Sequence, residues 1–161
     1  MNKIGFGFLR LPCTNGEAVD MTLLNQMVDA FLERGGTYFD TAYTYLDGQS
    51  EIALRNAVVE RHSRDCFQIA DKLPAWMVHS TQDCQRYFRV QCERCGVDFF
   101  DVYLLHWLNQ KNYEICERYD EFAFLRKLKE QGKVGKIGFS YHDNAALLDE
   151  ILTAHPEAEI V

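Results

Sequence analysis

The sequence lacks the features that mark membrane and secreted proteins. None of its apolar runs is long enough to span a bilayer, and no charged segment followed by an apolar one opens the chain. Lysine and arginine form no block, and the formal net charge of -7 over 161 residues argues against a nucleic-acid surface. We therefore expect a cytoplasmic protein with neither a membrane nor a nucleic acid as partner.

The sequence also lacks a cysteine framework for disulfides or a metal. Its six cysteines are scattered, and free thiols are the default without a secretion signal. Cys92 and Cys95 form a CxxC motif, but no second CxxC and no nearby Cys/His pair completes a tetrahedral site. We interpret these two cysteines as neighbours on one face of a helix, and we predict no metal ligand in residues 1–161.

What the sequence contains is a repeated alternation of short apolar runs with segments of helical spacing. The predicted strands cover residues 4–9, 37–40, 66–71, 98–105 and 134–139. The predicted helices cover residues 22–34, 50–60, 80–95, 122–129 and 143–153, and residues 158–161 begin a sixth strand. Such alternation indicates a parallel α/β sheet with right-handed crossovers.

Two architectures share this alternation, an open doubly wound sheet and an eight-stranded barrel. The doubly wound form usually carries a GxGxxG motif after its first strand, and the segment from Gly5 to Arg10 lacks the third glycine and the helix start. A barrel needs eight units, and this sequence ends within the sixth. We therefore expect an incomplete (β/α)8 barrel of about five βα units plus the start of a sixth strand.

Two details of the predicted helices can be compared directly with a structure. In the first helix, Leu23, Met27, Ala30 and Phe31 recur at helical spacing and predict its apolar face. Ser50 is the predicted N-cap of the second helix, because a serine hydroxyl can accept a bond from a free amide of the first turn.

Polar residues follow four of the predicted strands at their carboxyl ends. Asp40, Lys72, His106 and Ser140 occupy these positions, and Tyr45 comes five residues after Asp40. Because parallel strands end at one rim of a sheet, we expect these side chains to lie close together. In barrels of alternating strands and helices, that rim carries the chemistry.

Four of these groups fit the reduction of a carbonyl by hydride. The carbonyl oxygen gains negative charge and needs a proton, and a tyrosine, with an ordinary pKa near ~10, is a weak acid at neutral pH. A lysine ammonium stabilises the phenolate, and a carboxylate keeps that ammonium charged and in place. We expect Tyr45 to donate the proton, with Lys72 and Asp40 behind it, and His106 to orient the carbonyl.

The same residues lie in segments that resemble the aldo-keto reductase family. The segment Phe39-Asp40-Thr41-Ala42-Tyr43-Thr44-Tyr45 is similar to the family signature, in which Asp and Tyr stand five apart. Further similar segments are Asp71-Lys72-Leu73-Pro74, Tyr103-Leu104-Leu105-His106 and Gly135-Lys136-Ile137-Gly138-Phe139-Ser140. The closer match is to a bacterial branch that carries a C-terminal ferredoxin-like extension with a 4Fe-4S cluster.

This resemblance implies a TIM barrel, a cofactor and a substrate class. The expected cofactor is NADP(H) or NAD(H), contacted by Phe8, Leu9, Asp40 and Ser140, and the substrate is a small aldehyde or ketone. Most family members place Asn after this serine, whereas Tyr141 stands there in this chain. The iron-sulfur cluster would belong to a region beyond the last residue.

The resemblance further implies that residues 1–161 are the N-terminal part of one barrel domain, without its C-terminal strands. Unpaired strand edges would then favour self-association. The principal hypothesis is an NAD(P)H-dependent reductase of aldehydes and ketones. The alternative is a truncated, non-catalytic fragment or a cofactor-sensing binding module, because the loops that grip the cofactor phosphates follow the later strands.

Overall fold

The computed structural model describes residues 4–14 and 18–161 as strands and helices joined by short turns. The strands are β1 (Gly5–Gly7), β2 (Cys13–Thr14), β3 (Ala18–Val19), β4 (Tyr38–Asp40), β5 (Gln68–Leu73), β6 (Phe100–Leu108) and β7 (Val134–Tyr141). The helices are α1 (Met21–Glu33), α2 (Gln49–Leu54), α3 (Thr81–Cys95), α4 (Gln110–Arg118), α5 (Glu121–Glu130) and α6 (Ala145–Ala154). The alternation predicted from the sequence is thus confirmed.

Five of the strands form one parallel sheet in the order β1-β4-β5-β6-β7. Gly138 of β7 makes a parallel bridge with Ile160, so the segment after α6 begins a sixth strand beside β7. The order of the strands in space follows their order in the sequence, whereas a doubly wound sheet reverses at a switch point. The sheet is therefore part of a (β/α)8 barrel, as predicted.

The sheet separates two apolar layers of unequal size. On its outer face the helices cover a large core, which includes the fully buried Phe39 and Tyr103. On its inner face Ala70, Val102 and Leu104 form a small separate cluster. Because side chains alternate along a strand, Lys72 and His106 share the inner face with this cluster, whereas Asp71, Tyr103 and Leu105 face the helices.

Three strands run further than the sequence predicted. β5 continues to Leu73, β6 to Leu108 and β7 to Tyr141. Lys72, His106 and Ser140, predicted to follow the strands, therefore lie inside them. Near their carboxyl ends these strands carry polar side chains on the inner face. The apolar runs in the sequence stop at these polar residues, although the backbone pairing continues beyond them.

Two elements were missed by the sequence analysis. The first is a short antiparallel hairpin of β2 and β3, whose strands of two residues each are too short to give a pattern in the sequence. Helix α4 begins at Asn109, whose side chain accepts a bond from the amide of Asn112. This helix buries only one narrow stripe, so its largely polar sequence concealed the helical spacing.

The apolar face predicted for α1 is correct at Phe31, which packs against the core, and wrong by one position at Leu23 and Met27. Leu23 and Met27 are 43% and 39% exposed, whereas Leu24 and Val28 are fully buried. Both pairs stand four residues apart and suit a helix equally well. The packing against the sheet, and not the spacing, selects the buried pair.

The predicted N-cap at Ser50 is also wrong. Helix α2 begins directly after Gly48, and Ser50 lies inside the helix. Its buried hydroxyl donates to the carbonyl of Phe8 at 2.9 Å and lies 2.7 Å from the hydroxyl of Thr41. Ser50 therefore ties the ends of β1 and β4 together.

Within the part of the chain that the structure describes, no helix combines the length and the apolar content that crossing a bilayer requires.

Replacing Gly138 by alanine should destabilise the edge of the sheet. A Cβ atom at this position would lie 1.9 Å from the carbonyl oxygen of Ile160, which accepts a bond from the amide of Phe139. We expect the free energy of unfolding, measured with urea, to fall by about 1 to 3 kcal/mol. Gly7→Ala is the matched control, because its Cβ meets nothing within 4 Å. Equal stability of the two variants would contradict this account.

The buried Glu121 should make the protein less stable as the pH rises. It is fully buried, one of its oxygens has no partner in the part of the chain that the structure describes, and the other accepts a bond from the Cys116 thiol at 3.2 Å. Burial raises the pKa of Glu121 from 4.5 to about 8. The folded chain thus keeps a proton that the unfolded chain has released, so stability is lost between these two pH values.

We expect this loss to be on the order of 4 kcal/mol and to be absent from Glu121→Gln, which is uncharged at every pH. The measurement is urea unfolding of both proteins across this pH range. The neighbouring thiols Cys84 and Cys116 remain protonated throughout, because burial raises the pKa of each. Parallel pH profiles for the two proteins would show that Glu121 is not the responsible group.

Candidate active site

Strand pairing brings the predicted polar residues onto the inner face of the sheet. Asp40 lies opposite Ala70 in the neighbouring strand, and Lys72, two residues further on, lies opposite Leu104. His106 follows Leu104 by two residues in the same way. An interval of two residues keeps the side chain on the same face. The predicted residues of three strands therefore meet at one end of the barrel interior.

The Lys72 ammonium is the centre of this group. Its three N–H bonds have three acceptors, which are Asp40 Oδ1 at 2.6 Å, the Thr41 carbonyl at 2.9 Å and Tyr45 Oη at 3.4 Å. Its side chain is only 6% exposed. Burying an ammonium is costly unless it is paired and hydrogen-bonded, and here both conditions are met. The geometry fixes the ammonium beside the Tyr45 hydroxyl.

Tyr45 stands at the start of an unusual turn between β4 and α2. The three residues after it, Leu46, Asp47 and Gly48, all have positive φ, at 49°, 53° and 85°. Left-handed conformations cost about 1 to 2 kcal/mol for residues other than glycine, so surrounding contacts must hold this turn. One such contact comes from Arg94, whose guanidinium would collide with any Cβ atom at Gly48.

His106 closes the group on the side away from Asp40. Its ring packs edge-on against Tyr45 at a centroid distance of 5.4 Å and lies 5.3 Å from the ring of Trp76. Its Nδ1 atom is buried and has no partner among the described residues. Burial, and then the nearby Lys72 ammonium, lower the pKa of His106 from 6.5 to about 3. The imidazole is therefore neutral at neutral pH.

The residues predicted to contact a cofactor are placed unequally. The Ser140 hydroxyl accepts a bond from the amide of Trp107 at 2.7 Å, at the same end of the barrel. Leu9 is 49% exposed, whereas the Phe8 side chain is fully buried in the outer core. Any cofactor contact of Phe8 would therefore come from its backbone. Tyr141 uses its hydroxyl to bind the carbonyl of Asn144.

Two tryptophans form an aromatic wall beside His106. Trp76 and Trp107 meet edge to face at 5.4 Å, and Trp107 is 48% exposed. Trp107 has a positive φ of 62°, an uncommon conformation for a bulky residue. Leu108, the residue after Trp107, is fully buried and belongs to the core instead.

A buried polar cluster behind the site was not predicted from the sequence. It lies between the sheet and helices α2 and α3, and its members are Glu51, Asp71, Gln91, Arg94 and Cys95. Asp71 belongs to a segment quoted for the family resemblance, but charged residues are almost never fully buried unless they are paired. The signal that could have found them is Asp71 inside an otherwise apolar strand.

The structure places Cys92 and Cys95 together on α3, and all six cysteines are free. Burial raises the pKa of Cys92 to about 12 and raises that of Cys95 well above its ordinary value. Neither is therefore a thiolate at neutral pH, which is the form that binds metals or attacks disulfides.

Comparison with known proteins gives consistent relatives. A model of the aldo/keto reductase family matches residues 3–161. An aldo-keto reductase of Mycolicibacterium smegmatis (strain ATCC 700084 / mc(2)155) is 30% identical over 140 residues, which are 86% of this chain and 45% of that protein. The human aflatoxin B1 aldehyde reductase member 4 is 36% identical over 99 residues, 56% of this chain and 28% of that protein.

Solved structures agree with the sequence relatives. The crystal structure of an aldo-keto reductase from Klebsiella pneumoniae in complex with NADPH superposes with a TM-score of 0.66 at 26% identity, over 96% of this chain and 49% of that one. The chain thus spans about half or less of the length of these three proteins. Since the family model covers nearly every residue, the chain belongs to the aldo/keto reductase family.

Proposed function

We propose that this chain carries the proton-donating part of an NADP(H)-dependent oxidoreductase that reduces aldehydes or ketones to alcohols. One observation supports this most strongly, the buried Lys72 ammonium shared between the Asp40 carboxylate and the Tyr45 hydroxyl. The family membership and an NADPH-bound structural relative point to the same chemistry. Asp40, Tyr45, Lys72 and His106 are the proposed catalytic residues.

Tyr45 is the proposed general acid. As negative charge develops on the carbonyl oxygen of the substrate, the hydroxyl transfers its proton to that oxygen and becomes a phenolate. Lys72 stabilises the phenolate, because its ammonium already faces the hydroxyl and needs no rearrangement. Asp40 and the Thr41 carbonyl take the other two N–H bonds of Lys72 and so aim the third at Tyr45.

His106 has a different role from that of a charged acid. Since its imidazole is neutral at neutral pH, it carries one N–H donor and one acceptor. We assign it to orienting the carbonyl oxygen through that donor, on the side of Tyr45 where its ring lies. The aromatic wall of Trp76 and Trp107 beside it would favour a substrate with an apolar group next to the carbonyl.

The residues at this end of the barrel suit the nicotinamide part of NADP(H). Leu9 is exposed, Ser140 lies at the same rim, and the buried Nδ1 of His106 lacks a partner among the described residues. We propose that Leu9, Ser140, Asp40 and the Phe8 backbone contact the cofactor, which supplies the hydride when bound. NADP is preferred over NAD in this proposal because the Klebsiella pneumoniae relative was solved with NADPH.

The extent of this function is also a proposal. We assign residues 1–161 to the N-terminal part of a single barrel domain in the cytoplasm, with self-association through the strand edges at β1 and at the segment around Ile160 that pairs with β7. The Ile4 and Val161 side chains at these edges are 67% and 60% exposed. The iron-sulfur cluster, which is implied by the resemblance to the bacterial branch with a ferredoxin-like extension, remains a prediction from the sequence.

Replacing Tyr45 by phenylalanine should remove reduction and spare cofactor binding. We expect NADPH to bind the wild-type chain in a fluorescence titration and an aldehyde to be reduced. In Tyr45→Phe the rate should fall by about 10² to 10⁴, the usual contribution of a general acid, while the NADPH affinity stays nearly unchanged. Tyr119→Phe is the matched control, because Tyr119 lies in the turn between α4 and α5 and packs against the core under the helices.

An active Tyr45→Phe protein would refute the assigned acid. NADPH binding without reduction by the wild-type chain would favour a cofactor-sensing module instead. A folded chain that binds no NADPH would mean that these residues need further structure to act.

His106 should not titrate near its ordinary pKa of 6.5. In ¹⁵N NMR spectra we expect its imidazole to stay neutral until the pH approaches 3. In Lys72→Met the pKa of His106 should rise but remain below 6.5, because burial is the larger cause. The imidazole signal that disappears in the spectrum of His106→Gln is the signal of His106. A titration midpoint of His106 near 6.5 in the wild-type chain would contradict this assignment, because a charged imidazole could then take part in the mechanism.

A further inference from the structure

The buried polar cluster behind the site contains two carboxyl groups, and one cation contacts one of them. Glu51 and Asp71 are both fully buried, and one oxygen of each lies within 4.8 Å of the other and of Cys95 Sγ. Arg94 donates to Glu51 Oε2 at 2.9 Å. The other oxygen of Glu51, Oε1, is buried and has no donor within residues 4–14 and 18–161.

The charges of this cluster balance only if one carboxyl group is protonated. The Lys72 ammonium is bound to Asp40 on the opposite face of the sheet, which leaves Arg94 as the cation in contact with the pair. The other groups that face the pair are Cys92, Cys95 and Tyr103, and burial raises the pKa of each above its ordinary value. They are therefore uncharged, and two buried carboxylates would share one positive charge.

The proton belongs on Asp71. Burial, and then the charge of Glu51, raise the pKa of Asp71 well above its ordinary value. Glu51 has a guanidinium at its other oxygen, so it is the better of the two at holding a negative charge. Asp71 Oδ1 accepts a bond from the Lys72 amide at 2.7 Å, and Oδ2 has only the long contact of the Cys95 thiol at 3.7 Å among the described residues, so Oδ2 is the oxygen that can carry the proton. A hydroxyl there would supply the donor that Glu51 Oε1 lacks.

We propose that Asp71 is a neutral acid whose proton is shared with Glu51, and that with Arg94 the pair positions Lys72 and the Tyr45 turn. The structural part stands on its own, and the positioning role rests on the proposed function. None of the three side chains faces the barrel interior, so they are positioning residues.

The cluster contacts both the strand of Lys72 and the turn of Tyr45, the proposed acid. At Lys72, the amide donates to Asp71 and the carbonyl accepts from Gln91 at 3.0 Å, and Gln91 in turn accepts from the Tyr103 hydroxyl at 2.6 Å. These bonds fix the backbone of Lys72 on both sides. A backbone held in this way keeps the ammonium in one place.

On the Tyr45 side, the contact is made by Arg94. Its guanidinium donates to the Tyr43 carbonyl at 3.3 Å and covers the Tyr43 ring at 4.6 Å, two residues before Tyr45. Glu51 keeps that guanidinium in place. The shared proton therefore links the strand of Lys72 to the strained turn of Tyr45, because it joins the two carboxyl groups that anchor them.

Asp71→Asn and Asp71→Ala test the proton directly. Asparagine copies a neutral aspartic acid, since its oxygen can accept from the Lys72 amide and its NH₂ group can donate to Glu51. The infrared difference spectrum between wild type and Asp71→Asn at neutral pH should contain the carbonyl stretch of a protonated carboxylic acid. Absence of that band, or one divalent metal ion per chain by elemental analysis, would overturn the proposal.

Stability gives a second readout that is independent of enzymatic activity. The folded wild type holds a proton that the unfolded chain releases near its ordinary pKa of 3.8, so its stability should fall as the pH rises above that value. Asp71→Asn should lack this part of the decline and should unfold at an equal or higher urea concentration at neutral pH. If Asp71→Asn were as unstable there as Asp71→Ala, Asp71 would be an ionised acceptor.

The positioning role has its own measurement. Asp71→Ala should lower kcat by about ten- to a hundredfold with little change in NADPH affinity, because it shifts Lys72 and the Tyr45 turn without touching the cofactor. Asp71→Asn should restore most of kcat. Equal kcat values for wild type and Asp71→Ala would remove the positioning role. If no variant is active, the infrared band still decides whether the proton is shared, so the two proposals fail separately.

Discussion

The arrangement at the end of this barrel depends on one buried ammonium. Lys72 can remain charged at 6% side-chain exposure only because each of its N–H bonds has an oxygen to bind. All three oxygens come from the short stretch between Asp40 and Tyr45. This requirement therefore dictates where β4 ends and how the following turn is shaped, including the left-handed residues that no local preference would favour.

The strand that carries Lys72 serves two layers with adjacent residues. Lys72 faces the barrel interior, and Asp71 faces the helices, where it meets Glu51 and Cys95. A slip of one residue in the register of β5 would exchange them and place an ammonium against the helix layer and a carboxyl group beside Asp40. The buried polar groups on both faces thus specify a single register, which an all-apolar strand would leave to packing alone.

The sequence predicted the structure well where the alternation of side chains along a strand, with its period of two residues, or a local hydrogen bond decides it. Asp40, Lys72, His106 and Ser140 could be grouped because equivalent ends of parallel strands meet at one rim. It was uninformative where neighbouring residues offer the same pattern, as in α1, where Leu23 and Leu24 both suit an inward position and only the shape of the core chooses Leu24. Glu51 and Asp71 were missed because the burial of a charged residue depends on partners that are distant in the sequence.

The proton-donating group and the grip on the cofactor are separable parts of such a barrel. Every contact that fixes Lys72 and Tyr45 comes from β4, β5 and β6 and from helices α2 and α3, all within the first two thirds of this chain. In barrels of this kind the phosphates of a bound nucleotide are typically held by loops after the seventh and eighth strands. In the proposed function, the residues of proton transfer thus belong to early strands of the barrel, whereas the loops that typically hold the phosphates follow later strands.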